Sequence, residues 1–271
     1  MKWTLISLAE KYLMKSFITK KTFLGLASVV TMLLIWEVLA LYFNSDFILP
    51  TPVKTLTTVL RLFTDPGFIS IAGTTIARGI IGFIISFIAG LLFGVLAGTS
   101  RNFNIFFRPF LVTIRSVPVI AVTLLALIWF NPGSVPVFIA ILTMFPFICT
   151  NVTDGIRSVD PDLIAMASFY KVSRRRLLTE VYLPAIVPFI ISGASSAMGI
   201  GWRAIIIGEV LSQPRYGIGT IMQAEQTFLN IDAVIAWTII AVLISYAFEK
   251  LIRWYEHRIV IWRDRNDSEN Q

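Results

Sequence analysis

The sequence predicts an all-α membrane protein with about six transmembrane helices, and two observations support this. Of the 271 residues, 56% are hydrophobic and only 14% are charged, with a mean hydropathy of +0.78, whereas soluble domains carry about 25% charged residues. Apolar runs of roughly 20 residues, the length that spans the hydrocarbon core of a bilayer, also recur along the whole chain. Lipid must therefore be the solvent for much of the protein.

Six runs reach or approach this length, which places both ends of the chain on the same side of the membrane. They are residues 23–43, 73–98, 110–130, 135–152, 181–207 and 233–251. We accordingly divide the chain into an N-terminal segment (1–22), a membrane domain (23–255) that contains the long connection 153–180, and a C-terminal tail (256–271). The first run begins late and lacks a small-residue cleavage site, so we interpret it as a retained span.

Positive charge predicts the orientation, because lysine and arginine concentrate in cytoplasmic loops. Sixteen of these residues lie near the two chain ends and in connections 99–109 and 153–180, whereas the other connections hold only Lys54, Arg61 and Arg215. We therefore expect a multi-pass protein of the bacterial inner (cytoplasmic) membrane with both termini in the cytoplasm. The net charge of +7 is loop charge of this kind, so no nucleic-acid partner is expected.

Two features between the spans predict local structure. Small residues recur every four positions in the second span (82, 86, 90, 94 and 98) and in the fifth (193, 197 and 201), which lets helix backbones approach closely. We expect this packing inside the bundle, with a subunit interface as the alternative. After the first span, Thr51 and Pro52 form a helix start, and apolar residues at helical spacing follow. This pattern predicts a short amphipathic helix on the outer face.

The connection 153–180 carries the most informative pattern. Asp160 is a predicted N-cap, followed by Pro161 at the first helical position. Ser173 is the predicted cap of a second helix that begins with Arg174 and runs toward Pro184. The first helix is unusually apolar for a cytoplasmic loop and too short to be stable alone. Its apolar face is therefore expected to rest on the underside of the bundle or on a separate protein.

The same segment resembles the signature loop of permease subunits of bacterial ABC importers: Glu-Ala-Ala, three residues, Gly, nine residues, Ile-x-Leu-Pro. Residues 165–167 occupy the first three positions, and 181–184 complete the motif. Two positions depart from it, since Ala165 replaces the glutamate and Lys171 the glycine. A left-handed turn costs more with lysine than with glycine, and losing the glutamate removes a charge available to an ATPase partner.

Fragments elsewhere resemble the nitrate/sulfonate/taurine-type subfamily of these importers. They are residues 36–37, 47–52, 115–118, 129–130, 202–203, 208–210 and 217–219. The resemblance implies a type I ABC importer permease fold with a cytoplasmic coupling helix. The residues that it assigns to the coupling loop are Asp160, Pro161, Leu163, Ala165, Met166, Ala167, Phe169, Tyr170, Lys171, Ser173, Arg174, Arg175, Leu183 and Pro184.

The resemblance also implies the partners. They are two ABC ATPase subunits, a second permease subunit in a homodimer, and a periplasmic or lipid-anchored substrate-binding protein. The chain contains no Gly-x-x-x-x-Gly-Lys-Ser/Thr phosphate loop. It is therefore expected to be a transport subunit rather than an enzyme, to need no cofactor of its own, and to leave ATP binding to its partners. The solute is expected to be a small organic or inorganic anion.

Charges within the spans cost at least about 2.5–3.5 kcal/mol if unpaired. Arg115, Arg203 and Glu209 are therefore candidates for the translocation pathway or a gate. We expect Arg115 to bond loop carbonyls at the cytoplasmic end, Arg203 to attract an anionic solute, and Glu209 to form an external gate contact. A structural ion pair with another span is the alternative for the last two. Arg78, near the start of its span, is expected to snorkel.

Two other classes of function fit the sequence less well. A secondary transporter or channel without an ATPase remains the alternative, although the chain shows no clear internal repeat and few acidic residues. An intramembrane hydrolase is disfavoured because the one histidine, His257, lies in the tail. The single cysteine, Cys149, excludes a multi-cysteine metal site within one chain.

Overall fold

The computed structural model describes residues 2–259, and the side chains of residues 23–254. All regular elements in this range are helices: α1 (Lys2–Phe43), α2 (Pro52–Phe63), α3 (Phe68–Thr99), α4 (Arg101–Ser116), α5 (Val119–Trp129), α6 (Val135–Arg157), α7 (Pro161–Phe169), α8 (Arg174–Arg176), a π-helical segment (Leu177–Tyr182), α9 (Leu183–Ser212), α10 (Ile218–Thr227) and α11 (Ile231–Ile259). Most of the predicted C-terminal tail, and the side chains of the predicted N-terminal segment, fall outside the described residues.

Five of the predicted spans are single helices, whereas the third is broken. Residues 110–130, predicted as one span, belong to α4 and α5, which meet at an angle of 96°. Val117 and Pro118 are extended between them, with ψ angles of 130° and 126°. Proline lacks the amide that would continue the ladder and disfavours helical backbone in the residue before it. Pro118, which the sequence places as an interruption inside this predicted span, therefore divides it into two helices.

The small-residue stripe of α3 packs against α6, as expected for packing within the bundle. Each stripe glycine meets the residue 58 positions further along the chain, from Gly82 with Ala140 to Gly98 with Ile156. A Cβ built on either glycine would lie only 2.7 Å from a side-chain carbon of its partner. A constant offset of this kind means that α3 and α6 run in the same direction. The chain must consequently cross back between them, through α4 and α5.

Helix α9 runs antiparallel to α6 on another face. Gly193 meets Asn151 near one end, Gly201 meets Met144 in the middle, and Gly208 lies against Pro136 at the other end. Ile148, Val152, Ile205 and their neighbours form the main core cluster between α3, α6 and α9. A second cluster around Trp237 joins α11 to α2 and α10. The bundle is therefore built on α3, α6, α9 and α11.

The first two helices lie outside this core. In the span of α1, Ala40 is buried and almost every other side chain is exposed, although Trp36 Nε1 donates a hydrogen bond to the carbonyl of Pro50 (3.0 Å). Helix α2 starts as predicted, since the Thr51 hydroxyl accepts a hydrogen bond from the amide of Lys54 (3.3 Å). Its apolar stripe is exposed, and its threonine side faces the bundle, where Thr58 bonds Asp232 (2.8 Å).

Candidate functional site

The loop after α6 forms the short helix that the sequence predicts. The side chain of Asp160 accepts a hydrogen bond from the amide of Asp162 (2.8 Å), and Pro161 occupies the first turn. A carboxylate at this position accepts a hydrogen bond from an amide that has no partner within the helix. Its negative charge is also stabilised by the positive end of the helix dipole. Helix α7 therefore begins where the capping pattern placed it. It lies at the end of the bundle where α3 and α6 finish and α9 begins.

Lys171 adopts the left-handed turn that its glycine-like position requires. Its φ angle is +52°. The amide of Val172 donates to the carbonyl of Ala167 (2.9 Å), and that of Lys171 donates to the carbonyl of Ser168 (3.1 Å). These two bonds make a Schellman motif, the usual left-handed helix ending. The departure from glycine thus leaves the turn in place, at the cost of about 1–2 kcal/mol of backbone strain.

The second helix of the loop extends further than predicted. The hydroxyl of Ser173 accepts from the amide of Arg176 (3.4 Å), which confirms the predicted cap. From Arg174 the chain then stays helical to Ser212, through Pro184 and Pro188. The turn before Pro184 widens to a π-helix, because a proline ring clashes with the carbonyl four residues earlier. The loop is therefore covalently continuous with a membrane span through uninterrupted helix.

Helix α7 turns most of its apolar surface away from the chain. Among its side chains Ala167 is buried, whereas Met166 is 54% exposed and Phe169 82% exposed. Leu163 and Tyr170 are also exposed, and they continue the same helix face. We call Leu163, Met166, Phe169 and Tyr170 the α7 apolar face. Of the sequence-predicted coupling residues, Arg174, Arg175 and Leu183 are exposed nearby. The arrangement suits the docking of a separate protein rather than packing on the bundle.

At the opposite end of the bundle, Glu209 forms a buried ion pair with Arg78. The guanidinium Nη1 of Arg78 lies 2.6 Å from Glu209 Oε1, and the Glu209 side chain has no exposed surface. The expectation that Arg78 snorkels was therefore wrong, because the carboxylate offers it a partner inside the protein. For Glu209, the alternative of an ion pair with another span is observed, and its role in an external gate stays a prediction.

A loop wraps around this pair, and sequence reasoning missed it. The amide of Gly219 donates to Glu209 Oε2 (2.9 Å), and the Thr75 hydroxyl donates to Oε1 (2.9 Å). Arg78 also donates to the carbonyl of Tyr216 (2.7 Å). A Cβ at Gly217 would lie 2.6 Å from the Glu209 carboxyl carbon. The sequence did offer one signal for this contact. Glycines flank Ile218, eight and ten residues after Glu209, and leave room for the carboxylate. The network joins α3, α9 and α10.

The side chains of Arg203 and Glu209 point to different places, as their six-residue spacing predicted. The exposed side chain of Arg203 lines a groove of about 480 Å³ between α9 and α11. Glu249 lines the same groove and binds Arg253 (2.6 Å). Trp202 is buried beside them, and its Nε1 has no hydrogen-bond partner among the described residues. The groove thus holds charges of both signs.

Arg115 occupies the third predicted position, at the end of α4. Its guanidinium carbon lies 5.0 Å from the centre of the Phe147 ring, a cation–π contact. The expected bonds to loop carbonyls are not made within the described part of the chain. Instead Arg115 lines a cavity of about 430 Å³ beside the break between α4 and α5. Among the side chains that the structure describes, no cluster of histidine, cysteine and acidic residues suits a metal ion.

Comparisons with known proteins agree with this architecture. The family model described as the inner membrane component of binding-protein-dependent transport systems matches residues 90–261. The putative aliphatic sulfonates transport permease protein of Bacillus subtilis is 29% identical over 243 residues, which are 89% of this chain and 87% of that protein. The taurine transport system permease protein of Escherichia coli is 26% identical over 252 residues, 90% of this chain and 91% of that protein.

The fold has solved counterparts. The crystal structure of an amino acid ABC transporter with histidines matches 72% of this chain and 94% of its own, with a TM-score of 0.60 and 17% sequence identity. The predicted all-α permease fold is therefore confirmed. The chain belongs to the family of binding-protein-dependent inner membrane transport components, as an ABC importer permease subunit of the nitrate/sulfonate/taurine subfamily with the type I fold.

Proposed function

We propose that this permease subunit is driven by an ATPase that docks on the α7 apolar face. The observation that carries the proposal is the exposure of Met166 and Phe169 on a capped helix beside the basic residues Arg174–Arg176. Leaving an apolar side chain of this size in water costs about 1.5–3 kcal/mol relative to burying it. Covering them in a groove of a partner recovers that free energy. ATP would bind to the partner, and the chain itself would carry no cofactor.

The orientation follows from the distribution of positive charge. The end of the bundle that holds α7 also holds Arg101, Arg157 and Arg174–Arg176, whereas the opposite end is poor in basic residues. Basic loops favour the cytoplasm. The parallel course of α3 and α6 and the reverse course of α9 support the same alternation of spans. On this basis α7 and both chain termini face the cytoplasm, where an ATPase is present.

Coupling would use the unbroken helix from Arg174 to Ser212. A movement of α7 is passed directly into this helix, because only the Schellman turn and Ser173 separate the two. ATP closes the ATPase pair, and the paired subunits favour one arrangement of the bundle over the other. Nucleotide must bind the two states with different affinity for this shift to occur. The span from Leu183 to Ser212 is thus the element that moves with the loop.

The proposed solute is a small anion delivered by an external binding protein to a homodimer of this chain. The relatives named for aliphatic sulfonates and for taurine support this class of solute. Arg115, an arginine in a cavity that has no ion-pair partner among the described residues, supports it as well. The second permease subunit and two ATPase subunits would complete the importer in the inner membrane.

Aspartate substitutions on α7 test the docking proposal. Phe169→Asp and Met166→Asp place a charge on the α7 apolar face, so binding of the co-expressed ATPase subunit should fall about tenfold or more. Ser168→Asp is the matched control, because Ser168 is exposed on another side of the same helix. The measurement is co-purification with the ATPase from membranes, at equal permease abundance. Retained binding in both apolar-face variants would contradict the proposal, and uptake that persists without the ATPase gene would favour a secondary carrier.

A further inference from the structure

The cavity beside the helix break opens to the surface of the chain, since Thr113, Arg115 and Val117 line it with exposed side chains. Its walls come from four helices, and they include Thr113, Arg115, Val119, Thr143, Phe147 and Ile200. Thr143 lies eight residues into α6, about 12 Å from the start of that helix at 1.5 Å per residue, and Ile200 lies near the middle of α9. The volume of about 430 Å³ is within the range of about 300–1,000 Å³ usual for small-molecule sites.

The charge in this cavity is uncompensated. Arg115 forms no ion pair with any described residue, and its guanidinium lies over the face of Phe147. The other two charged positions inside the bundle differ. Arg78 is neutralised by Glu209 at 2.6 Å, and the groove of Arg203 contains the carboxylate of Glu249. Of the three arginines, Arg115 therefore offers the one wall that favours an anion without a competing carboxylate.

The backbone at the break adds to this preference. Val117 and Val119 line the cavity, and the first amides of α5 have no partner in their own helix. Pro118, the residue before α5, supplies no side-chain cap. Non-helical backbone at membrane depth is tolerated where it lines a wet cavity or is covered by protein. Broken helices in transporters place such helix starts at anionic groups of the solute.

We propose that this cavity is the intramembrane site for the anionic group of the transported solute, with Arg115 as its recognising charge. The proposal deepens the proposed function and rests on it for the identity of the ligand as a solute in transit. The chemical class is a small oxyanion such as a sulfonate. Thr113 on α4 and Thr143 on α6 line the cavity. Phe147 contacts the Arg115 guanidinium in the cavity wall.

Thiol labelling tests the site without any partner protein. A cysteine is introduced as Thr143→Cys, or as Ile200→Cys on the opposite wall, in a Cys149→Ala background of the full chain in detergent. The probes are the anionic sulfonatoethyl and the cationic trimethylammonioethyl methanethiosulfonates. The anionic reagent should react faster than the cationic one, relative to a free thiol in the same buffer. Arg115→Gln should lower this rate ratio about tenfold, and Arg115→Lys should largely preserve it.

Arg108→Gln is the matched control. Arg108 lies two turns earlier on α4, is exposed and does not line the cavity, so the rate ratio should stay at the value of the parent. A ratio no higher than that of the free thiol with Arg115 present overturns the proposal. An equal fall in Arg108→Gln overturns it too, as does the absence of reaction at both introduced cysteines, because a closed cavity admits no sulfonate.

A transport measurement separates this inference from the proposed function. The complete importer in proteoliposomes is assayed for ATP-dependent uptake of labelled taurine, nitrate and bicarbonate, and for ATP hydrolysis. Arg115→Gln should lower anion uptake at least tenfold while assembly and ATP hydrolysis persist, whereas Arg108→Gln should resemble the parent. Unchanged anion uptake in Arg115→Gln refutes the site alone. Uptake by the parent that needs no ATP refutes the proposed function. The thiol-labelling result then decides independently whether the cavity binds an anion.

Discussion

Replacing Arg78 by methionine should destabilise the protein strongly, because it leaves a buried charge without its partner. The Glu209 side chain has no exposed surface, and that of Arg78 is only 10% exposed. Removing one partner of a buried ion pair costs about 3–5 kcal/mol. The Thr75 hydroxyl and the Gly219 amide still bond the carboxylate in the variant. We therefore expect a loss near the lower end, about 3 kcal/mol in the free energy of unfolding.

The double variant Arg78→Met, Glu209→Gln separates the charge from the packing. Glutamine still accepts from Gly219 and from Thr75 but carries no charge, so the double variant should recover about 1 kcal/mol or more of the loss. Unfolding in mixed micelles of increasing denaturing detergent measures these differences. Arg61→Met is the control, since Arg61 is exposed on α2, and it should be near neutral. An Arg78→Met variant within 1 kcal/mol of the parent, or a double variant no more stable than the single one, would refute the reasoning.

Two further predictions concern the packing stripe and the loop turn. Gly94→Ala should destabilise the bundle by about 1–3 kcal/mol, because its Cβ would lie 2.7 Å from Val152 Cβ and 2.9 Å from the Cys149 carbonyl oxygen. Gly73→Ala on the same helix meets no atom within 4 Å and should be neutral or stabilising when both are compared by thermal aggregation. Lys171→Val should loosen the left-handed turn and speed tryptic cleavage after Arg174 about tenfold relative to Lys171→Gly. Both variants remove the lysine cleavage site, so equal rates would count against a strained turn.

The sequence predicted the features that depend on local chemistry or on a regular spacing of residue types along the chain. Hydropathy located the spans, and the four-residue repeat from Gly82 to Gly98 indicated the close contact that α3 makes with α6. The capping residues Asp160 and Ser173 marked the helix starts found in the structure. Each of these signals is contained in one short segment. For that reason it could be read without knowledge of the neighbouring helices.

The features that the sequence did not predict depend on contacts between distant segments. Arg78 and Glu209 are 131 positions apart, and no spacing rule connects them, so snorkelling was the more economical interpretation of Arg78. Pro118 predicted an interruption of the third span but not a bend of 96°, because the apolar run continues across it at full length. Hydropathy counts side chains and is insensitive to a missing backbone amide. The cavity at Arg115 follows from that break and could not be anticipated without it.

The contact between α3 and α6 restricts how the permease can change shape. Gly90 lies against Ile148 and Gly94 against Val152, so closely that neither glycine has room for a Cβ atom. The side chains of α6 thus fit between the small residues of α3. A small axial slip would drive a side chain into backbone, and the next matching alignment lies four residues away, about 6 Å. We expect such a pair to move as one unit without sliding. Rearrangement during a transport cycle is thus left to helices outside this pair, which include α9, the broken pair α4 and α5, and the first span.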